Sequence, residues 1–153
     1  MLQKNMKIPT ENDYKSYDGA HCYLLWKRLH NDWQCPGCGR NKRQIMRWTY
    51  RTPNGKSFWG WMAGLHEHHD HVTDECVENN IGRFHNAIIC DMCNSADGAA
   101  VRKLKITNNF SFSPEEIRQF IVSTPHATHK IDFNKALEIY QSVKKGGVLK
   151  GGL

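Results

Sequence analysis

Cys35-Pro36-Gly37-Cys38 and Cys90-Asp91-Met92-Cys93 enclose a histidine-dense run, Leu65-His66-Glu67-His68-His69-Asp70-His71, and Asn94 directly follows the last cysteine. Two thiolates with two residues between them can grip one tetrahedral ion from a single tight turn. A second such pair completes a closed four-sulfur shell with no open position. The spacing therefore predicts a structural zinc on Cys35, Cys38, Cys90 and Cys93. A closed zinc does no chemistry, so the histidines are left for it. Histidine is the side chain whose ordinary pKa lets it take a proton from water near neutrality. Cys22 and Cys76 have no partner at ligand spacing and are expected to be ordinary buried or loop cysteines.

The run His66 to His71, followed by Asn86-Ala87-Ile88-Ile89-Cys90-Asp91-Met92-Cys93-Asn94-Ser95-Ala96-Asp97-Gly98, resembles the HNH nuclease pattern in its phage recombination endonuclease VII form. That form reads His-x-Asp-His-x-His and then Cys-x-x-Cys-Asn-x-x-Glu/Asp-Gly. The resemblance covers residues 35–104, under half of the chain. It implies a zinc-stabilised ββα-metal core of the α+β class that hydrolyses DNA phosphodiesters with one catalytic divalent cation, Mg²⁺ or another. By the same resemblance His69 is the general base, and His68 and Asn94 hold the cation. Asp97 ligates the cation or steadies its ligands, and His71 contacts the scissile phosphate. The family's aspartate before the base is His68 here, as in the His-His pair of colicin-type HNH nucleases, which leaves the preferred metal open. The implied function is a site-specific endonuclease on double-stranded DNA, homing or restriction-like, leaving 5′-phosphate and 3′-hydroxyl ends. A branched-DNA resolvase and a non-catalytic zinc-stabilised DNA-binding module are the alternatives. Retention of both His69 and Asn94 argues against the last of these.

The rest of the chain must position these groups. Its 153 residues suit one domain with appendages, and 21 Lys plus Arg against 15 Asp plus Glu bias the surface toward polyanions such as DNA. No stretch has the length and apolarity of a membrane span, and residues 1–7 lack the apolar core of a signal peptide. The expected location is the cytoplasm, or the host's cytoplasm for a phage-encoded chain, where thiols stay reduced and available to metal.

Three parts follow from the pattern: a polar, loosely docked arm over residues 1–17, the zinc-bound nuclease domain over 18–106, and a helical extension over 107–153. Cys22, Leu25, Trp26 and Leu29 recur at helical spacing. Pro53-Asn54-Gly55 marks a hairpin turn between strands over 46–52 and 56–61. On the first of these Trp48 and Tyr50 share one side, expected to pack. Arg47, Thr49 and Arg51 share the other, a solvated basic face from which Arg47 and Arg51 could reach DNA. Residues 62–69 and 85–89 read as the strands of the motif, 72–84 as their connection and 91–105 as the helix. That helix sets Asn94 and Asp97 on one face. Ser113-Pro114-Glu115-Glu116 is a capping box, and a last apolar stripe from Phe133 to Val143 is expected to stop at Gly146-Gly147. The stripes are expected to pack on the core, with a homodimer interface as the alternative cover.

Overall fold

Thr10 starts the first helix by a reciprocal cap. Its hydroxyl accepts from the Asp13 amide at 3.0 Å, and the Asp13 carboxylate accepts from the Thr10 amide at 2.9 Å. The computed structural model describes residues 6–70, 82–107 and 109–151. His71, Cys76 and most of the 72–84 connection lie outside the described residues. The capped helix α1 (Glu11–Ser16) corrects the expectation of a loose arm. Tyr14 and Tyr17 both set an edge against the Trp26 ring, with centroids at 6.1 and 4.8 Å, and the Tyr17 hydroxyl accepts from the Ala63 amide at 3.0 Å. Two aromatic anchors are enough to dock a segment whose remaining residues are polar.

Trp26 lies on α2 (Tyr23–Arg28), which follows a short 3₁₀ turn, Ala20–Cys22. Cys22 and Trp26 are buried, as their spacing required. The C-terminal carbonyls of α2 are satisfied from within: the buried Lys42 donates from Nζ to the carbonyls of Trp26 at 2.9 Å and Leu29 at 3.1 Å. Arg43 is likewise committed, donating to the Pro9 carbonyl at 3.0 Å. The basic cluster after the first cysteine pair is thus partly internal structure.

Strands β1 (Arg47–Arg51) and β2 (Phe58–Met62) form the expected hairpin, with Asn54 and Gly55 at φ +54° and +80° in its turn. Both faces are mixed: Arg47, Trp48 and Arg51 are half-buried, Trp61 packs on the core, and Tyr50, Phe58 and Trp59 at the far end are exposed. Arg47 is half-buried with Asp91 opposite its charge, and burial pulls its pKa down. Arg51 is half-buried too, its Nη1 3.0 Å from the Met62 sulfur. Tyr50 and Trp59, directly opposed in the register, are the exposed pair. Among the described residues the sheet has only these two strands, and the Tyr50–Trp59 end of its aromatic face is exposed.

Strand β3 (Leu65–His68) pairs antiparallel with β4 (Ala87–Cys90), Leu65 opposite Cys90 and His68 opposite Ala87. Helix α3 (Asp91–Lys103) follows without a break. A continuous strand over 62–69 does not form, because the chain bends at Ala63-Gly64 to meet the helix. The Asp91 amide donates to the Gly64 carbonyl at 2.8 Å, and a Cβ on Gly64 would lie 2.7 Å from that of Asp91. Met62 therefore belongs to the hairpin and β3 begins at Leu65.

The C-terminal extension shares the core. Ser113 caps α4 (Pro114–Phe120) with the predicted box, and Phe112, Ile117, Phe120 and Ala136 are buried in one cluster with Trp26, Leu65, Ile89 and Ala96. Two short strands, β5 (Ile121–Val122) and β6 (Lys130–Ile131), lead into α5 (Phe133–Gly151). This helix passes through Gly146-Gly147 rather than stopping there. Each glycine costs about 1 kcal/mol against alanine but removes no backbone hydrogen bond. Among the described residues no helix is long and apolar enough to cross a membrane.

Trp26 joins α1, α2 and Lys42, so Trp26→Ala should cost about 3–5 kcal/mol of stability. Urea unfolding of wild type and variant checks this. A change below about 1 kcal/mol would separate the N-terminal helix from the core.

Candidate metal centre

The two Cys-x-x-Cys turns meet. The Sγ atoms of Cys35, Cys38, Cys90 and Cys93 all lie within 4.8 Å of one another, with Cys35–Cys93 and Cys38–Cys90 each at 3.7 Å. A tetrahedral ion with bonds of about 2.3 Å sets its sulfurs about 3.8 Å apart. Local sequence explains how the turns close so tightly. Gly39, at φ +77°, lets its amide reach the Cys35 carbonyl at 2.7 Å. A Cβ on Gly37 would stand 2.7 Å from the Cys93 sulfur, so only glycine fits there.

Each sulfur also receives a hydrogen bond from outside the cluster. The Cys90 amide donates to Cys35 at 3.3 Å. Arg40 donates from Nε to Cys38 at 3.2 Å and from Nη2 to Cys90 at 3.5 Å. His129 Nε2 lies 3.3 Å from the Cys93 sulfur and donates to it when that sulfur is a thiolate. Four donors aimed at four sulfurs suit thiolates, as metal binding requires. The sulfurs share their protons unequally: hydrogen bonds from Cys35 hold Cys38 far below the usual thiol range and Cys90 at about 5, while those with Cys38 and Cys35 push Cys35 and Cys93, respectively, well above it. Burial opposes the charge of Arg40, which is only 4 % exposed, but the Cys90 and Cys38 thiolates outweigh it and raise its pKa. The chemistry of this set fits a zinc, whose four thiolates would leave a net charge of about −2. Arg40 offsets part of that charge.

Arg40 and His129 were not legible as parts of the site. Arg40 also donates from Nη1 to the carbonyls of Thr124 and Ala127, both at 3.0 Å, so the segment leading to His129 is fastened to the cysteines. Nothing local marks His129, which is 36 residues from Cys93 in sequence.

The histidine strand adjoins this centre through β4 and α3. His68 is 4 % exposed, stacked on Phe84, and its Nε2 lies 2.6 Å from the Phe112 carbonyl. A carbonyl only accepts, so Nε2 carries the ring proton and Nδ1 holds the lone pair. Metal-ligating histidines are commonly oriented in this way. The same residue engages Asp97, whose Oδ1 accepts from the Phe112 amide at 2.7 Å. Asp97 thus steadies the peptide that orients His68. Among the described residues the four cysteines are the one group of three or more His, Cys, Asp or Glu that could hold an ion.

Asn94 is half-buried on the face of α3 that carries Asp97. His69 is half-exposed, with Nδ1 3.4 Å from the Glu67 carbonyl. Its neighbour Asp70 is fully buried and accepts from the Arg83 amide at 2.8 Å, across the connection between the strands. The Arg83 side chain pairs with Glu116 at 2.9 Å and donates to the Ser111 carbonyl at 2.6 Å. His66 Nε2 contacts Asp91 Oδ1 at 3.0 Å, and this bond holds the Asp91 carboxyl below its ordinary range. Comparison with known proteins finds no matching family model, curated protein or solved structure.

Cys90→Ser should purify without stoichiometric zinc and largely unfolded, because binding energy at such a site is largely folding energy. A folded Cys90→Ser protein with full zinc would remove the assignment. Arg40→Gln should keep four sulfur ligands yet release zinc to a competing chelator about 10–100-fold more readily.

Proposed function

We propose that this chain is a metal-dependent DNA endonuclease of the HNH type. The observation that carries the reading is the β3–β4–α3 unit, with Cys90 and Cys93 of the candidate metal centre at its strand-to-helix junction. That unit brings the end of a histidine-bearing strand and the asparagine face of a helix onto one rigid frame. Phosphodiester hydrolysis needs a base for the attacking water, charge neutralisation at the phosphoryl oxygens and stabilisation of the departing oxygen. In this reading His69 takes the proton of the attacking water. His68 Nδ1 and Asn94 are the residues that would hold a divalent cation. When bound, the cation supplies charge neutralisation at the phosphate and the leaving 3′-oxygen. Asp97 and Phe112 keep the His68 ring in the tautomer that leaves Nδ1 available. His71 is the further candidate for contact with the phosphate, by resemblance alone.

Duplex DNA is the proposed substrate. The formal charge of +6 supports a polyanionic partner. Arg47 and Arg51 are less available to it than their sequence pattern implied, since both are half-buried in internal contacts.

Supercoiled plasmid incubated with Mg²⁺ should be nicked or linearised by wild type and left intact with no added divalent ion. His69→Ala should cut at least about 100-fold more slowly with zinc content and DNA affinity unchanged, because a base acts mainly in the transition state. Equal cutting by His69→Ala and wild type would move the base elsewhere. Asn94→Ala should need more Mg²⁺ for half-maximal rate and recover partly when it is supplied.

A further inference from the structure

The β1–β2 ribbon carries four aromatic residues on one face, in two opposed rungs. Trp48 pairs with Trp61 at a ring separation of 5.0 Å, and Tyr50 pairs with Trp59 at 5.5 Å. The first rung is partly covered by the N-terminal segment, with the Lys7 ammonium 3.5 Å above the Trp48 ring. The second rung is bare. Tyr50 is 60 % and Trp59 57 % exposed, and Phe58, beside Trp59 on the opposite face, is 46 % exposed. Large exposed aromatics grouped on one element mark an interaction surface more often than chance exposure does. Cross-strand aromatic pairs also stabilise a hairpin in themselves, which accounts for the pairing but not for leaving the distal rung in water.

Charge identifies the occupant. Residues 47–62 include Arg47, Arg51 and Lys56 and no acidic residue. The Arg51 guanidinium lies 5.5 Å from the centre of the Phe58 ring, so cation and aromatic surfaces alternate at the ribbon's end. Asp13 and Asp18 line a groove with Arg51, Phe58 and Trp61, and Asp91 stands opposite the Arg47 charge at the ribbon's other end. Cations beside bare aromatic faces suit a polyanion that offers flat rings of its own. Single-stranded nucleic acid has that chemistry, since each unpaired base can stack on an aromatic face while its phosphate meets a lysine or arginine. A paired duplex hides its base faces and could meet only the cations.

We infer that the Tyr50–Trp59 rung of the β1–β2 ribbon is a stacking platform for unpaired bases, so that this protein engages single-stranded DNA in addition to the strand it cuts. The inference rests on the nuclease reading for its choice of DNA. It adds a substrate feature, bases out of the duplex, which that reading does not contain.

The test is fluorescence anisotropy with no added divalent ion, on an end-labelled oligothymidylate of about 20 nucleotides and on a duplex of equal length. The proteins are wild type, Y50T/W59T, which keeps strand-forming residues, and Y50F/W59F, which keeps the rings. Zinc content and thermal melting are checked for each. Wild type should prefer the single strand. Y50T/W59T should lose about tenfold or more of that affinity while its duplex affinity changes less than about twofold, and Y50F/W59F should recover most of the loss. Unchanged oligothymidylate binding by Y50T/W59T, or an equal loss on both DNAs, overturns the platform. So does a ribbon whose aromatic loss abolishes binding to anionic vesicles or turns a dimer into a monomer with single-strand affinity intact. Plasmid cutting in Mg²⁺ separates the two readings. Cutting with ribbon-independent single-strand binding removes the platform alone, and ribbon-dependent binding without cutting removes the nuclease alone.

Discussion

Sulfur-to-sulfur proximity between two distant turns is the constraint from which the rest of the molecule is built. Cys35 and Cys38 belong to the first part of the chain and Cys90 and Cys93 to the strand–helix junction, and the four meet in a space one ion can fill. Because Cys90 ends β4 and Cys93 lies in the first turn of α3, fixing these sulfurs also fixes the register of β3 against β4 and the direction of the helix. Hydrogen bonds from a backbone amide, Arg40 and His129 finish the cluster. Arg40 then carries the constraint outward to the Thr124–Ala127 segment, so that the C-terminal part of the chain is tied to the same centre. A domain of this size has a limited apolar core, and an ion held by the four cysteines would compensate for it.

A second network, built on Phe112, links the core to the histidine strand. Its amide is held by Asp97 on α3, its carbonyl accepts a hydrogen bond from His68 Nε2, and its ring is buried against Phe110 and Phe120. Arg83 works beside it, joining Asp70 to Ser111 and Glu116. The segment that follows α3 is therefore part of what holds the histidine strand, although no motif in it has the appearance of a site. Such outer contacts decide whether a site is held to the tolerance that catalysis needs.

The cysteine turns, the hairpin with its Pro-Asn-Gly turn, the strand–strand–helix order and the capping box at Ser113 were legible because each depends on spacing within a few residues. What was not legible depends on distant partners. The N-terminal arm looked loose because Tyr14 and Tyr17 are isolated among polar residues, and only Trp26 across the fold makes them anchors. The two faces of the hairpin alternate correctly in sequence, but neither turns wholly inward: Arg47 is half-buried with Asp91 opposite its charge, Trp61 packs on the core, and the far end of both faces is exposed. Arg40 looked like one more surface cation beside Lys42 and Arg43, and His129 like one more histidine. Nothing local to Asp97 marks its bond to the Phe112 amide, 15 residues away.

X-ray absorption at the zinc edge of the purified protein tests the frame most directly. The account predicts four sulfur neighbours at about 2.3 Å and no nitrogen. Three sulfurs with one nitrogen at about 2.0–2.1 Å would put His129 in the shell in place of a cysteine, and a protein that holds no zinc while remaining folded would contradict the frame altogether.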